Sequence, residues 1–102
     1  MVSVIKSLKE YKSLAENNAK MVVDASAVWC GPCRVMAPEF EALCLQYPNT
    51  LFVKFDTDEV QDLAEFLNIS SLPSFVFVQN GAVVDTVIGA NRAALIARCK
   101  TF

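Results

Sequence analysis

Cys30 and Cys33 are separated only by Gly31 and Pro32, and two thiols at that spacing lie on one face of a helix, where they can close a disulfide within a turn. Such a pair suits thiol–disulfide exchange, half of a zinc site, or a cysteine nucleophile that has a neighbouring base. The chain contains no histidine. This disfavours a Cys-His hydrolase, and a zinc site would have to recruit Cys44 and Cys99, which lack the close spacing of a second ligand pair. Exchange chemistry is the reading that needs no missing residue.

The attacking species in exchange is the thiolate, so position matters. A cysteine at the start of a helix meets unpaired amides and the positive end of the helix dipole, and both favour the anion. Stabilising it by about 1.4 kcal/mol lowers the pKa by one unit, which takes a thiol of pKa ~8.5 from roughly 3% to roughly a quarter thiolate at pH 7. Cys30 is therefore the expected nucleophile, and Cys33, one turn further along, the more sheltered partner. Asp24 is the other candidate for chemistry, because it is the one acid within the apolar run Met21–Ala27. Desolvation there would raise its pKa towards the range in which a general base works at neutral pH. A structural acid, hydrogen-bonded at a strand end or paired with Lys54, is the alternative. Trp29 is either a core aromatic or a cover for the reactive sulfur that also touches substrate.

The elements that must hold these residues are legible from periodicity and turn chemistry. Ser7-Leu8-Lys9-Glu10 has the spacing of a capping box and opens a helix that runs to about Asn17. Met21–Ala27 reads as a strand buried on both faces. From Pro32 to Tyr47 the apolar residues Met36, Phe40, Leu43 and Tyr47 share one helix face, with a kink expected at Pro38. Leu51–Thr57 reads as a strand, Asp58–Leu67 as a short helix stopped at Asn68, and Asn80-Gly81 as the tight turn of a hairpin joining 75–79 to 82–88. Asn91 then caps a last helix that buries Leu95, Ile96 and Cys99. The order βαβαβαββα implies an α/β fold, a mixed sheet with helices on both faces. Cys44 and Cys99, on apolar helix faces, are expected to be small buried hydrophobes.

Composition sets limits on partners and address. Of 102 residues 54% are hydrophobic and 20% charged, which fits one globular domain over residues 1–102. The net charge is −2 and the nine Lys and Arg are scattered, so no stripe is available to neutralise nucleic-acid phosphates. Nothing resembles a secretory signal, and no apolar run nears the roughly 20 residues that span a bilayer. The expected address is the cytoplasm, with no membrane partner.

Trp29-Cys30-Gly31-Pro32-Cys33, placed at a strand-to-helix junction, resembles the active-site motif of the thioredoxin family in full. Val22-Val23-Asp24 resembles the strand that carries the family's buried acid, Leu72-Pro73-Ser74-Phe75 its cis-proline loop, and Gly89-Ala90 its substrate-side loop. The resemblance implies a single central five-stranded sheet ordered β1-β3-β2-β4-β5, flanked by four helices. It also implies a Cys30–Cys33 redox disulfide and a substrate groove made by Trp29, Gly31, Pro32, Leu72, Pro73, Gly89 and Ala90. Lys54 is expected to approach Asp24 from the neighbouring strand. The chain departs from the commonest pattern at Ala25, where an aromatic is frequent, and at Leu72, where Ile, Thr or Met is usual. The implied activity is reduction of protein disulfides, with no bound cofactor and electrons from NADPH through thioredoxin reductase. Peroxiredoxin, ribonucleotide reductase and methionine sulfoxide reductase are the implied acceptors. A thiol oxidase or isomerase, and a non-catalytic binding module on the same fold, are the other classes open to the sequence.

Overall fold

Strand β2 (Lys20–Ser26) lies at the centre of the sheet and decides what faces the motif. Successive side chains of a strand point to opposite faces. Met21, Val23 and Ala25 thus enter one core cluster with Tyr11, Val53, Phe55 and Leu63, and Val22 enters the other with Met36, Phe40, Phe52 and Phe75. Asp24 shares the parity of Val22, so it is carried towards the helix that follows the motif. The computed structural model describes all 102 residues.

The remaining elements are β1 (Ser3–Val4), α1 (Leu8–Asn17), α2 (Gly31–Gln46), β3 (Leu51–Asp56), α3 (Gln61–Phe66), β4 (Ser74–Gln79), β5 (Ala82–Ile88) and α4 (Arg92–Thr101). The sheet order is β1-β3-β2-β4-β5. Strand β3 pairs in parallel with β1 and β2, whereas β4 runs antiparallel to β2 and β5. α1 and α3 cover one face, and α2 and α4 the other. Burying each large apolar side chain of these layers stabilises the fold by about 1.5–3 kcal/mol.

Local signals act where expected. Ser7 Oγ accepts the Glu10 amide at 3.0 Å and Asn91 Oδ1 accepts the Ala94 amide at 3.0 Å, so both caps form. Asn68 and Asn80 have φ of 56° and 52°, and Gly81 has φ of 84°, which ends α3 and closes the hairpin. α2 continues unbroken through Pro38.

Two expectations are corrected, and the hairpin shows one feature not expected. The helix placed over Asp58–Leu67 covers only Gln61–Phe66, because Asp56 Oδ1 accepts the amides of Asp58 and Glu59 and holds that stretch in a turn. Ile96 is 39% exposed; the buried stripe of α4 runs through Leu95 and Cys99, and Ile96 is turned about 100° away from Leu95. The hairpin also carries a bulge: Phe77 pairs with Asp85 and Val78 with Val83, so Val84 has no partner of its own.

Candidate functional site

The motif occupies the end of the sheet where β2 stops and α2 begins. Cys30 is the residue that caps α2, and its sulfur accepts the Cys33 amide at 3.2 Å. That hydrogen bond and the positive end of a 16-residue helix both stabilise negative charge on Sγ. Cys30 and Cys33 form a disulfide with a Cα–Cα distance of 5.3 Å. Each residue is only 5% exposed, so the expectation that Cys33 is the more sheltered of the two is corrected: both are buried in the disulfide, and Cys30 differs in lining a groove.

That groove, of about 580 Å³, is lined by Trp29, Cys30, Gly31, Pro32 and Leu72 together with Thr57, Ala64, Ile69, Ser70 and Ser71. The Leu72–Pro73 peptide is cis. Leu72 makes no backbone hydrogen bond, so its amide and carbonyl are free beside the motif. The Gly89 amide donates to the Pro73 carbonyl at 2.7 Å, which fixes the Gly89–Ala90 loop against the proline loop; Pro73, Gly89 and Ala90 themselves do not line the groove. Trp29 is 67% exposed; it is a surface aromatic and no part of the core.

A second cavity, of about 250 Å³, opens behind the motif and is lined by residues including Asp24, Cys33, Arg34, Lys54 and Asp56. The two cysteines line different compartments: Cys30 the groove, and Cys33 the rear cavity together with Asp24. Asp24 is 4% exposed, and its Oδ1 has no hydrogen-bond partner. Burial pushes its pKa up to about 7, with the Lys54 ammonium pulling in the opposite direction. Lys54 is the register partner of Asp24 on β3, yet no ion pair forms between them; the only two in the chain are Arg92–Glu39 and Arg98–Asp85.

Cys44 and Cys99 are free and buried among apolar side chains. Burial pushes the Cys99 thiol up to about 11, which leaves about one molecule in ten thousand ionised there at pH 7. No three His, Cys, Asp or Glu side chains are grouped to hold a metal ion. In the reduced protein, iodoacetamide at pH 7 is therefore expected to modify Cys30 at least about tenfold faster than Cys33, Cys44 or Cys99. Peptide mapping against time checks the order, and earlier labelling of Cys44 or Cys99 would contradict it.

Sequence reasoning did not identify Thr57, Ser70 and Ser71 in the groove, or the contact of Trp29 with Asp58, whose Oδ2 accepts the indole N–H at 2.7 Å. One signal was available. Thr57 and Asp58 follow the carboxyl end of a strand that runs parallel to the one leading into the motif, where sites gather in open α/β sheets.

Comparison with known proteins agrees with this geometry. The thioredoxin family model matches residues 2–101. Thioredoxin-2 of Saccharomyces cerevisiae is 45% identical over 96 residues, covering 93% of this chain and 92% of its own. The Plasmodium falciparum thioredoxin structure superposes with a TM-score of 0.97 at 39% identity, covering 99% of both chains. A chain solved for the thiol-resolving mechanism of yeast mitochondrial 1-Cys peroxiredoxin via glutathione/thioredoxin systems superposes with a TM-score of 0.95 at 36% identity, covering 99% of this chain and 95% of that one. With a matching sheet order, a Cys-Gly-Pro-Cys disulfide at the head of α2 and these relatives, the chain belongs to the thioredoxin family and is a disulfide reductase working through an active-site dithiol/disulfide pair.

Proposed function

We propose that Cys30 attacks and Cys33 resolves. The Cys30 thiolate displaces one sulfur of a substrate disulfide and forms a mixed disulfide through the other. Cys33 then loses its proton to Asp24 and attacks Cys30 Sγ, which releases the second substrate sulfur. The substrate gains two electrons and the protein is left with its Cys30–Cys33 disulfide. The observation that carries this division of labour is that Cys30 lines the groove whereas Cys33 lines the cavity that holds Asp24.

In the groove, Trp29, Gly31 and Pro32 provide contact surface, and the free backbone of Leu72 offers strand-type hydrogen bonds to an extended segment of substrate. Pro73, next to Leu72 in the chain and bonded to Gly89, extends this contact surface with Gly89 and Ala90 beyond the groove lining. Residues 1–102 act as one domain, since all five strands join one sheet. A cytosolic setting suits a chain in which Cys44 and Cys99 stay free; no helix is long and apolar enough to cross a membrane. Electrons come from NADPH through a thioredoxin reductase and pass to targets such as peroxiredoxin, ribonucleotide reductase or methionine sulfoxide reductase. The yeast peroxiredoxin work in which a structural neighbour was solved supports the first of these.

The test against an oxidase or isomerase is the reduction potential. Equilibration against redox buffers should place the Cys30–Cys33 couple at roughly −270 mV, and NADPH with a thioredoxin reductase should sustain reduction of insulin disulfides. A potential near about −120 mV, that of a strong oxidant, would overturn the reductase assignment.

A further inference from the structure

Arg92 opens α4 at a place that the helix itself disfavours. A cation at the first residue of a helix meets the positive end of the dipole, whereas Arg98 and Lys100, in the last turn, sit where the dipole favours them. The partner that Arg92 finds is Glu39 on α2, with Nε 3.4 Å from Oε1. Glu39 follows Pro32 by two turns and Val35 by one, so the three share one stripe of α2. That stripe descends from the groove, which Pro32 lines, past the exposed Val35 to the ion pair. Just before Arg92 in the chain stands Ala90, exposed and without a backbone hydrogen bond. The Gly89–Ala90 loop is thus tied on one side to Pro73, through the Gly89 amide, and on the other to the motif helix, through Arg92.

We propose that Glu39 and Arg92 are positioning residues for protein substrates: their ion pair holds the Gly89–Ala90 loop at a set distance from the motif helix, so that a substrate segment meets the loop and the groove together. The proposal rests on the reading that Gly89 and Ala90 touch substrate. The loop has little stiffness of its own, because Gly89, at a φ of 89°, has nothing within 4 Å of where a Cβ would stand. A loop fixed in advance loses less freedom when a substrate lands on it. A small disulfide that reaches Cys30 without touching the loop gains nothing from the pair.

The test mixes pre-reduced protein with insulin, a protein disulfide, and with hydroxyethyl disulfide, a small neutral one. Second-order rate constants are compared for the wild type, Glu39→Arg, Arg92→Glu and the variant carrying both exchanges. Each single variant sets two like charges against each other and should slow insulin reduction about two- to fivefold, the range that an exposed ion pair spans. The rate with hydroxyethyl disulfide should change by less than about 1.5-fold. The double variant rebuilds the pair with its signs reversed and should bring the insulin rate back to within about 1.5-fold of the wild type. An effect of net charge alone would move the two single variants in opposite directions, and general damage to the fold would slow both disulfides. Either result, or a double variant no faster than the singles, would overturn the proposal. Ala90→Trp tests the underlying reading separately: it should slow insulin reduction at least about twofold, and a rate equal to the wild type would show that the loop does not touch substrate, whatever the ion pair holds.

Discussion

Cys33→Ser is expected to accumulate mixed disulfides through Cys30, approaching one substrate per molecule, while multiple turnover falls by at least about a thousandfold. The reason is the loss of an intramolecular step. A resolving thiol held one turn from the mixed disulfide acts at an effective concentration of roughly 10⁵ M or more when well oriented, and a millimolar external thiol cannot replace it. Attack by Cys30 needs only the groove and the head of α2, which Cys33→Ser leaves in place: the bond to Cys30 Sγ comes from the residue 33 amide, which serine retains. Cys30→Ser is the matching control. Serine is a preferred helix cap, so that variant should fold, but it has no sulfur to attack with and should form no adducts. Non-reducing gels and mass spectrometry of lysate incubated with each variant read the result. Absence of adducts from Cys33→Ser, or equal adducts from both variants, would sink the two-step mechanism.

The parts of the site visible in the sequence are those set by local chemistry. Asn80-Gly81 needs positive φ at both positions and gets it, and Ser7 and Asn91 cap the helices they precede. The direction of Asp24 also follows from local rules, since alternation along β2 puts it on the face of Val22 and under α2. Features set by competition between neighbours were not visible. Asp58 and Glu59 look like the acidic first turn of a helix, but the Asp56 side chain captures their amides and delays α3 to Gln61. Features set by distant segments were hidden as well. Nothing in the spacing of Thr57, Ser70 or Ser71 says that the fold brings them to one groove with Cys30. Ile96 sits at the border of its helix's apolar stripe, where periodicity alone does not decide between core and solvent.

Asp24→Asn should separate the structural cost of the buried acid from its use. In the folded protein the Asp24 pKa is pushed from its ordinary 3.8 up to about 7. Between those values the folded state keeps a proton that the unfolded chain has released, so stability falls as pH rises through that window and levels off above it. The loss amounts to roughly 4 kcal/mol at most. An asparagine cannot ionise, so the variant should gain on the wild type as pH rises from about 4 to 8. The gain will be smaller than the bound, because an amide set where Asp24 Oδ1 has no partner costs about 1–3 kcal/mol of desolvation. A net gain of about 1–3 kcal/mol at pH 8 corresponds to a melting-temperature rise of roughly 4–20 °C in a domain of this size. At pH 4, where the wild type carries almost no ionisation penalty, the sign should reverse and the variant should be the less stable protein.

That stability profile would follow from any buried acid, whatever its role, so the decisive measurement is kinetic. If Asp24 accepts the Cys33 proton, resolution of a pre-formed Cys30 mixed disulfide near pH 7.5 should slow by about a hundredfold in Asp24→Asn, the lower range for loss of a general base. The initial attack by Cys30 should change by less than about threefold, because Cys30 lines the groove and not the rear cavity. The gap between wild type and variant should narrow below about pH 6, where the wild-type carboxyl is already protonated, and again at alkaline pH, where hydroxide deprotonates Cys33 without help. Single-turnover reduction of a model disulfide from about pH 5 to 9 measures both steps. Resolution rates that coincide in the two proteins throughout, alongside the expected rise in stability, would leave Asp24 a buried structural acid and require another proton acceptor for Cys33.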